Sequence, residues 1–170
     1  ALAMLLPLGG TYAAATDPET FVEVRYMEPE TLDPAWTYEV TGSNVQMNIY
    51  DTMVFFKREK ADEFVPALAT EVPTYENGGI SKDGLTYTFN IREGIKFHEG
   101  GTLEPHDIAY TIQRGLLQDR IDGPQWLFLE PLLGVSSIES LAMEIAGVDS
   151  FDKVDADSLV ETCKRAQKAV

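Results

Sequence analysis

Both histidines of the chain fall in one stretch, IREGIKFHEGGTLEPHDIAYTIQRG, residues 91–115, and each has carboxylates beside it. Glu99 follows His98, and Glu104 and Asp107 flank His106. Imidazoles and carboxylates together ligate divalent metals and carry acid–base catalysis. The spacing argues against both uses. His98 and His106 are separated by Gly100-Gly101 and Pro105, with neither HExxH nor a Cys/His pattern around them. Catalysis by paired carboxylates needs two particular acids in one cleft, and among 28 acidic residues no pair stands out. G-x-S-x-G, the P-loop and GxGxxG are absent. Cys163, the one cysteine, lies in LVETCKRAQKAV; it reads as a small helical hydrophobe, with no His/Asn partners for a thiol nucleophile.

Helix initiation accounts for the same charges. Gly100-Gly101 turn the chain, Pro105 suits the first helical position, and Glu104 takes the N-cap place. Asp107 then sits near the positive end of the helix dipole, where a carboxylate is stabilised by roughly 0.3–1 kcal/mol. Ile108, Ile112 and Leu116, with Ala109 adjoining, recur at helical spacing. The histidines are therefore expected at the surface, with no metal site and no cofactor.

The elements around this stretch mix both periods. FVEVRYM, residues 21–27, alternates as a half-buried strand, with Val22, Val24 and Tyr26 on one face. Pro29 and Pro34 make the next segment a loop, with Trp36 and Tyr38 as its aromatic core. TGSNVQMNIYDTMVFF predicts a helix capped by Ser43 or Asn44, with Val45, Ile49 and Met53 on its apolar face, feeding a strand at MVFF. KREKADEF reads as a polar hairpin connection. Two turns, at Asn77-Gly78-Gly79 and Lys82-Asp83-Gly84, precede a strand in which Tyr87, Phe89 and Ile91 alternate with polar residues. Residues 119–135 read as loop, punctuated by Gly123-Pro124 and Pro131. Ser136-x-x-Glu139 resembles a capping box, and Asp155 or Ser158 starts a last helix with Leu159, Cys163, Ala166 and Val170 on one face. The fold class is mixed α/β, with strands too few and scattered for a self-sufficient sheet.

Composition narrows the function classes. The chain has 170 residues, 44% hydrophobic and 24% charged, with a formal net charge of −15. A phosphate backbone calls for a basic face, so nucleic acid is excluded as a partner, and anionic lipid equally. ALAMLLPLGGTYAAAT is too short to span a bilayer. It matches the second half of a secretory signal peptide, an apolar region and Ala13-x-Ala15 with cleavage before Thr16. Residues 1–15 are thus expected to be a signal remnant, implying a periplasmic or extracellular location; a buried apolar strand or helix is the alternative. No Cys near the cleavage site supports a lipid anchor.

TLDPAW, NIYDTMVFF, FVPALATE, DGLTYTFNIREGIKFHEGGTLEPHDIAYTIQRGL and LEPLLGVSSIESLA, in this order and spacing, resemble the extracellular solute-binding proteins, family 5, the dipeptide, oligopeptide and nickel-binding proteins of bacterial ABC importers. Residues 84–115 carry the most specific part. The family more often has Thr or Ser where Glu104 stands. The resemblance implies that residues 16–170 are the N-terminal part of such a domain. They would form part of the first lobe of a two-lobed, Venus-flytrap fold of the type II periplasmic binding proteins, with the second lobe absent. It implies a binding subunit, not an enzyme, whose partners are a peptide or similar small solute and the permease subunits. Within these residues it points to the loop before the first helix, Tyr38, Thr41, Gly42, Ser43 and Asn44, as ligand-binding candidates; capping and loop packing are the alternative. Two other readings stand beside it: a nickel or metal-chelate-binding protein of the same family, and a secreted hydrolase with acidic catalytic residues.

Overall fold

A computed structural model describes residues 17, 19–118 and 123–170. The expected signal remnant, residues 1–15, lies outside them. Among the described residues the elements are, in chain order, α1 (Val40–Gln46), β1 (Val54–Lys57), β2 (Lys60–Pro66), α2 (Pro105–Leu117), α3 (Trp126–Leu133), α4 (Ile138–Ala146), a 3-10 turn (Phe151–Lys153) and α5 (Ala156–Lys168). Helices and strands are both present, as the mixed pattern predicts.

The main core lies among four helices. Leu116 of α2, Leu129 and Leu133 of α3, Leu141 of α4 and Ala166 of α5 form one buried cluster, flanked by Ile112, Val135, Ile138 and Ile145. Helix α2 begins as its sequence dictates. Pro105 is at the first position, and the Asp107 carboxylate accepts the Glu104 N–H at 2.8 Å. Helix α5 starts from Asp155, whose carboxylate accepts the Ser158 N–H at 2.7 Å. A second, smaller core sits at the base of the hairpin. Leu68 and Ala69 are buried there, tied by Leu68 N–H to Thr52 C=O and Arg92 N–H to Leu68 C=O, each 3.0 Å. Strands β1 and β2 pair antiparallel, Phe55 opposite Val65 and Phe56 opposite Phe64, whose rings stack at 5.1 Å. Arg58, at the tip, adopts φ 57°.

Several sequence expectations fail, each for a physical reason. Residues 21–27 form no strand, and their alternating side chains stay exposed. A strand needs a ladder partner, and none pairs with them among the described residues. In residues 86–91 Phe89 and Ile91 turn partly inward but Tyr87 stays exposed, and among the described residues the segment pairs through single bridges, Ile80 with Tyr87 and Ala69 with Ile91. Residues 126–133 are helical, not loop. Pro131 inside a helix costs about 3 kcal/mol, and burying Leu129 and Leu133 returns roughly 1.5–3 kcal/mol each. The cap of α4 is Ser137, one residue later than read, paired reciprocally with Ser140. Helix α1 starts from Glu39, so Ser43 and Asn44 are inside it, and it ends before Ile49 and Met53. On α5 the buried residues are Thr162 and Ala166, whereas Cys163 is exposed.

Residues 126–146 together are long and apolar enough to cross a membrane by composition, with mean hydropathy 1.2. They are two helices. Gly134 ends α3 at φ 71°, its N–H on the Glu130 carbonyl at 2.9 Å, and Ser137 starts α4. Leu129, Leu133 and Leu141 face the protein core.

Candidate functional site

The loop that leads into α1 is built on Asp33. Its carbonyl accepts the N–H groups of Trp36 (3.0 Å) and Thr37 (2.9 Å), and its Oδ1 accepts that of Ala35 (2.9 Å). The Thr37 hydroxyl donates to the Thr31 carbonyl at 2.7 Å and closes the turn from the other side. Ala35 and Thr37 are buried, whereas Trp36 is 43% and Tyr38 54% exposed. The two aromatics are therefore not the core of this loop, as their size suggests; Ala35 and Thr37, the small residues that alternate with them, are. Helical and helix-capping side chains meet the turn beside Ala35.

Those side chains come from α2 and from the start of α3. Arg114 Nη1 donates to Asp33 Oδ1 at 2.8 Å, and Nη2 pairs with Oδ2, a two-pronged ion pair. Its guanidinium, through these hydrogen bonds first, holds the Asp33 carboxyl below the usual carboxylate range, against partial burial, which pushes it up. Gln125 is 6% exposed, and its Nε2 donates to the carbonyls of Ala35 (3.2 Å) and Pro34 (3.4 Å). Gly115 makes room for it: a Cβ there would lie 2.3 Å from Gln125 Oε1. At the far end, Gln46 Nε2 donates to the Leu32 carbonyl at 3.1 Å.

Within the segment, the five candidates separate. Tyr38 is exposed, Thr41, Ser43 and Asn44 are half-buried, and Gly42 is buried. The Gly42 N–H is taken by both carboxylate oxygens of Glu39 at 2.8 Å, so that amide is already satisfied by an anion of the chain itself. A Cβ at Gly42 would come within 2.7 Å of Thr37 Cγ2 and 3.1 Å of the Thr31 carbonyl, so only glycine fits.

The two histidines stand apart from this segment. His98 is exposed, and His106 is exposed with its ring 3.4 Å from Glu104 Oε2 and 3.3 Å from Asp107 Oδ1. Among the described residues no group of three His, Cys, Asp or Glu is placed to hold a metal ion. An open hollow between α3 and α5, lined by Leu132, Leu133, Arg165, Lys168 and Ala169, contains none of the five candidates. Sequence reading missed Asp33, Arg114, Gly115 and Gln125 as the residues that position the loop. The one available signal was Gly115 in the last turn of an otherwise good helix, where glycine costs about 1 kcal/mol and so marks a close approach.

Comparison with known proteins places the chain in a family. The chain is 34% identical over 113 residues to heme-binding protein A of Haemophilus influenzae, covering 62% of this chain and 19% of that protein. It is 30% identical over 121 residues to di/tripeptide-binding protein 2 of Pseudomonas aeruginosa (66% and 21%), and 32% identical over 111 residues to the dipeptide-binding protein of Escherichia coli (61% and 19%). It thus spans about a fifth of the length of the curated relatives it matches. No solved structure matches. Residues 63–169 match the family described as bacterial extracellular solute-binding proteins, family 5 Middle, a family of binding proteins and not of enzymes. By that match, which takes in the 91–115 stretch and all of α2 to α5, the chain belongs to the bacterial extracellular solute-binding proteins, family 5.

Proposed function

We propose that the protein carrying this sequence is the substrate-binding subunit of an ABC importer. It captures peptides or similar small solutes outside the cytoplasmic membrane and hands them to a permease. The observation that carries this is the family match over residues 63–169, together with relatives named for dipeptides and tripeptides. On this reading residues 16–170 belong to the first lobe of a two-lobed fold that closes on its solute by a hinge motion. Tyr38, Thr41, Gly42, Ser43 and Asn44 supply part of the solute surface. Residues 1–15 are the remainder of an export signal.

A second reading has one observation in its favour: a relative at 34% identity is named for heme. Here the solute is a metal chelate held by its organic part, since the described histidines do not converge.

Calorimetric titration of the protein with di- and tripeptides, with hemin and with Ni²⁺ tests both. Saturable peptide binding without hydrolysis is expected. Uptake of hemin and no peptide moves the assignment to the chelate. Turnover of a peptide, lost on replacing one carboxylate pair, overturns the binding role altogether.

A further inference from the structure

Within the turn over residues 31–38 the buried side chains are small, Ala35 and Thr37. Trp36, Tyr38 and Leu32 are exposed, and no residue of 31–46 belongs to the helical core of Leu116, Leu129, Leu133, Leu141 and Ala166. Polar contacts from two helices fix its pose instead. Arg114 grips Asp33 in a fork, the geometry in which guanidinium and carboxylate bind with greatest directional specificity. Gln125 spends its buried amide on the Pro34 and Ala35 carbonyls, the two residues that follow. Asp33 is the centre of the turn: its carbonyl takes Trp36 and Thr37, and its side chain takes Ala35. A shift of Asp33 therefore acts directly on Ala35, Trp36 and Thr37, just before α1.

We propose that Arg114 and Gln125 are positioning residues of the solute site: through Asp33 and the carbonyls of Pro34 and Ala35 they set the pose of Trp36, Tyr38 and the entry to α1. The role rests on the reading that residues 38–44 contribute to that site. Neither side chain has to touch the solute. Arg114 reaches the turn from the last turn of α2 and Gln125 from the N-cap of α3.

Hydrogen–deuterium exchange and peptide titration of the protein carrying Arg114→Ala, Arg114→Lys or Gln125→Ala test this. Exchange of the Ala35, Trp36 and Thr37 amides is expected to accelerate at least ten-fold in the alanine variants, with α4 and α5 unchanged. Peptide affinity is expected to fall at least ten-fold in the same variants, and Arg114→Lys, which keeps the charge and loses the fork, to recover only part of it. Should the alanine variants fail to fold, Asp33→Asn is read in their place with the same expectations. Folded variants with unchanged exchange over 35–37 overturn the proposal, as does faster exchange with unaltered affinity. A wild-type protein that binds no peptide and no hemin removes the solute reading, and this role with it; loss of the role alone is seen only against wild-type binding.

Discussion

Substituting Gly115 by Ala pits two effects of similar size against each other. Alanine is better than glycine in a helix by about 0.8–1 kcal/mol. The new Cβ would lie 2.3 Å from Gln125 Oε1 and 2.9 Å from its Cδ, so the amide must move. Gln125 is buried and supplies the donor to the Ala35 carbonyl at 3.2 Å. Losing a buried hydrogen bond and leaving its acceptor unpaired costs about 1–3 kcal/mol. The difference is a net destabilisation of roughly 0–2 kcal/mol for Gly115→Ala alone. With Gln125→Ala already in place there is nothing to displace, and the same substitution stabilises by about 1 kcal/mol. The two substitutions are therefore non-additive by roughly 1–3 kcal/mol, in the sense that the second costs less after the first. Urea unfolding of the four proteins of this cycle, followed by far-UV circular dichroism at matched m-values, measures the coupling. A Gly115→Ala variant that is stabilised equally in both backgrounds refutes the close approach of Gln125 to α2.

Acid should weaken the attachment of the loop. The Asp33 carboxyl is held below its ordinary range by Arg114, so the unfolded chain takes up this proton more readily than the folded one. Its contribution is fully present above the unfolded value, about 4, and is lost as pH falls through the lower folded value; urea midpoints of wild type and Asp33→Asn across this window should converge at the acid end. Asp155→Ala removes the cap of α5 and should cost about 1 kcal/mol in urea unfolding. Leu141→Ala should cost about 2–5 kcal/mol, because Leu141 is fully buried. Leu127→Ala, at an exposed position of α3, should change stability by less than about 0.5 kcal/mol.

Where local chemistry decides, the sequence was readable. Pro105, Asp107 and the Ile108–Ile112–Leu116 stripe define α2 within one turn of chain, and the structure has them so. Asp155 announces α5 in the same way. Where pairing or burial by remote chain decides, the pattern misleads. Residues 21–27 carry a strand's alternation with no ladder beside them among the described residues, and Pro131 disguises a helix whose leucines are held by α2 and α4. The positioning of the candidate loop was illegible for a similar reason. Arg114 and Gln125 look like ordinary polar residues until the fold brings them under Asp33 and Ala35, 81 and 90 positions away.

Those separations also bear on the order of assembly. The contacts between α4 and α5 and within the β1–β2 hairpin join neighbours in sequence, and Gln113 reaches the Gln167 carbonyl across 54 positions, whereas Arg114–Asp33 and Gln125–Ala35 span 81 and 90. Closing so long a loop has an entropic cost that must be met before the contact rewards it. The 31–38 turn is therefore expected to dock after the helices that receive it. By microscopic reversibility it is then expected to lift off first, giving the segment that leads into α1 an opening equilibrium of its own, separate from global unfolding.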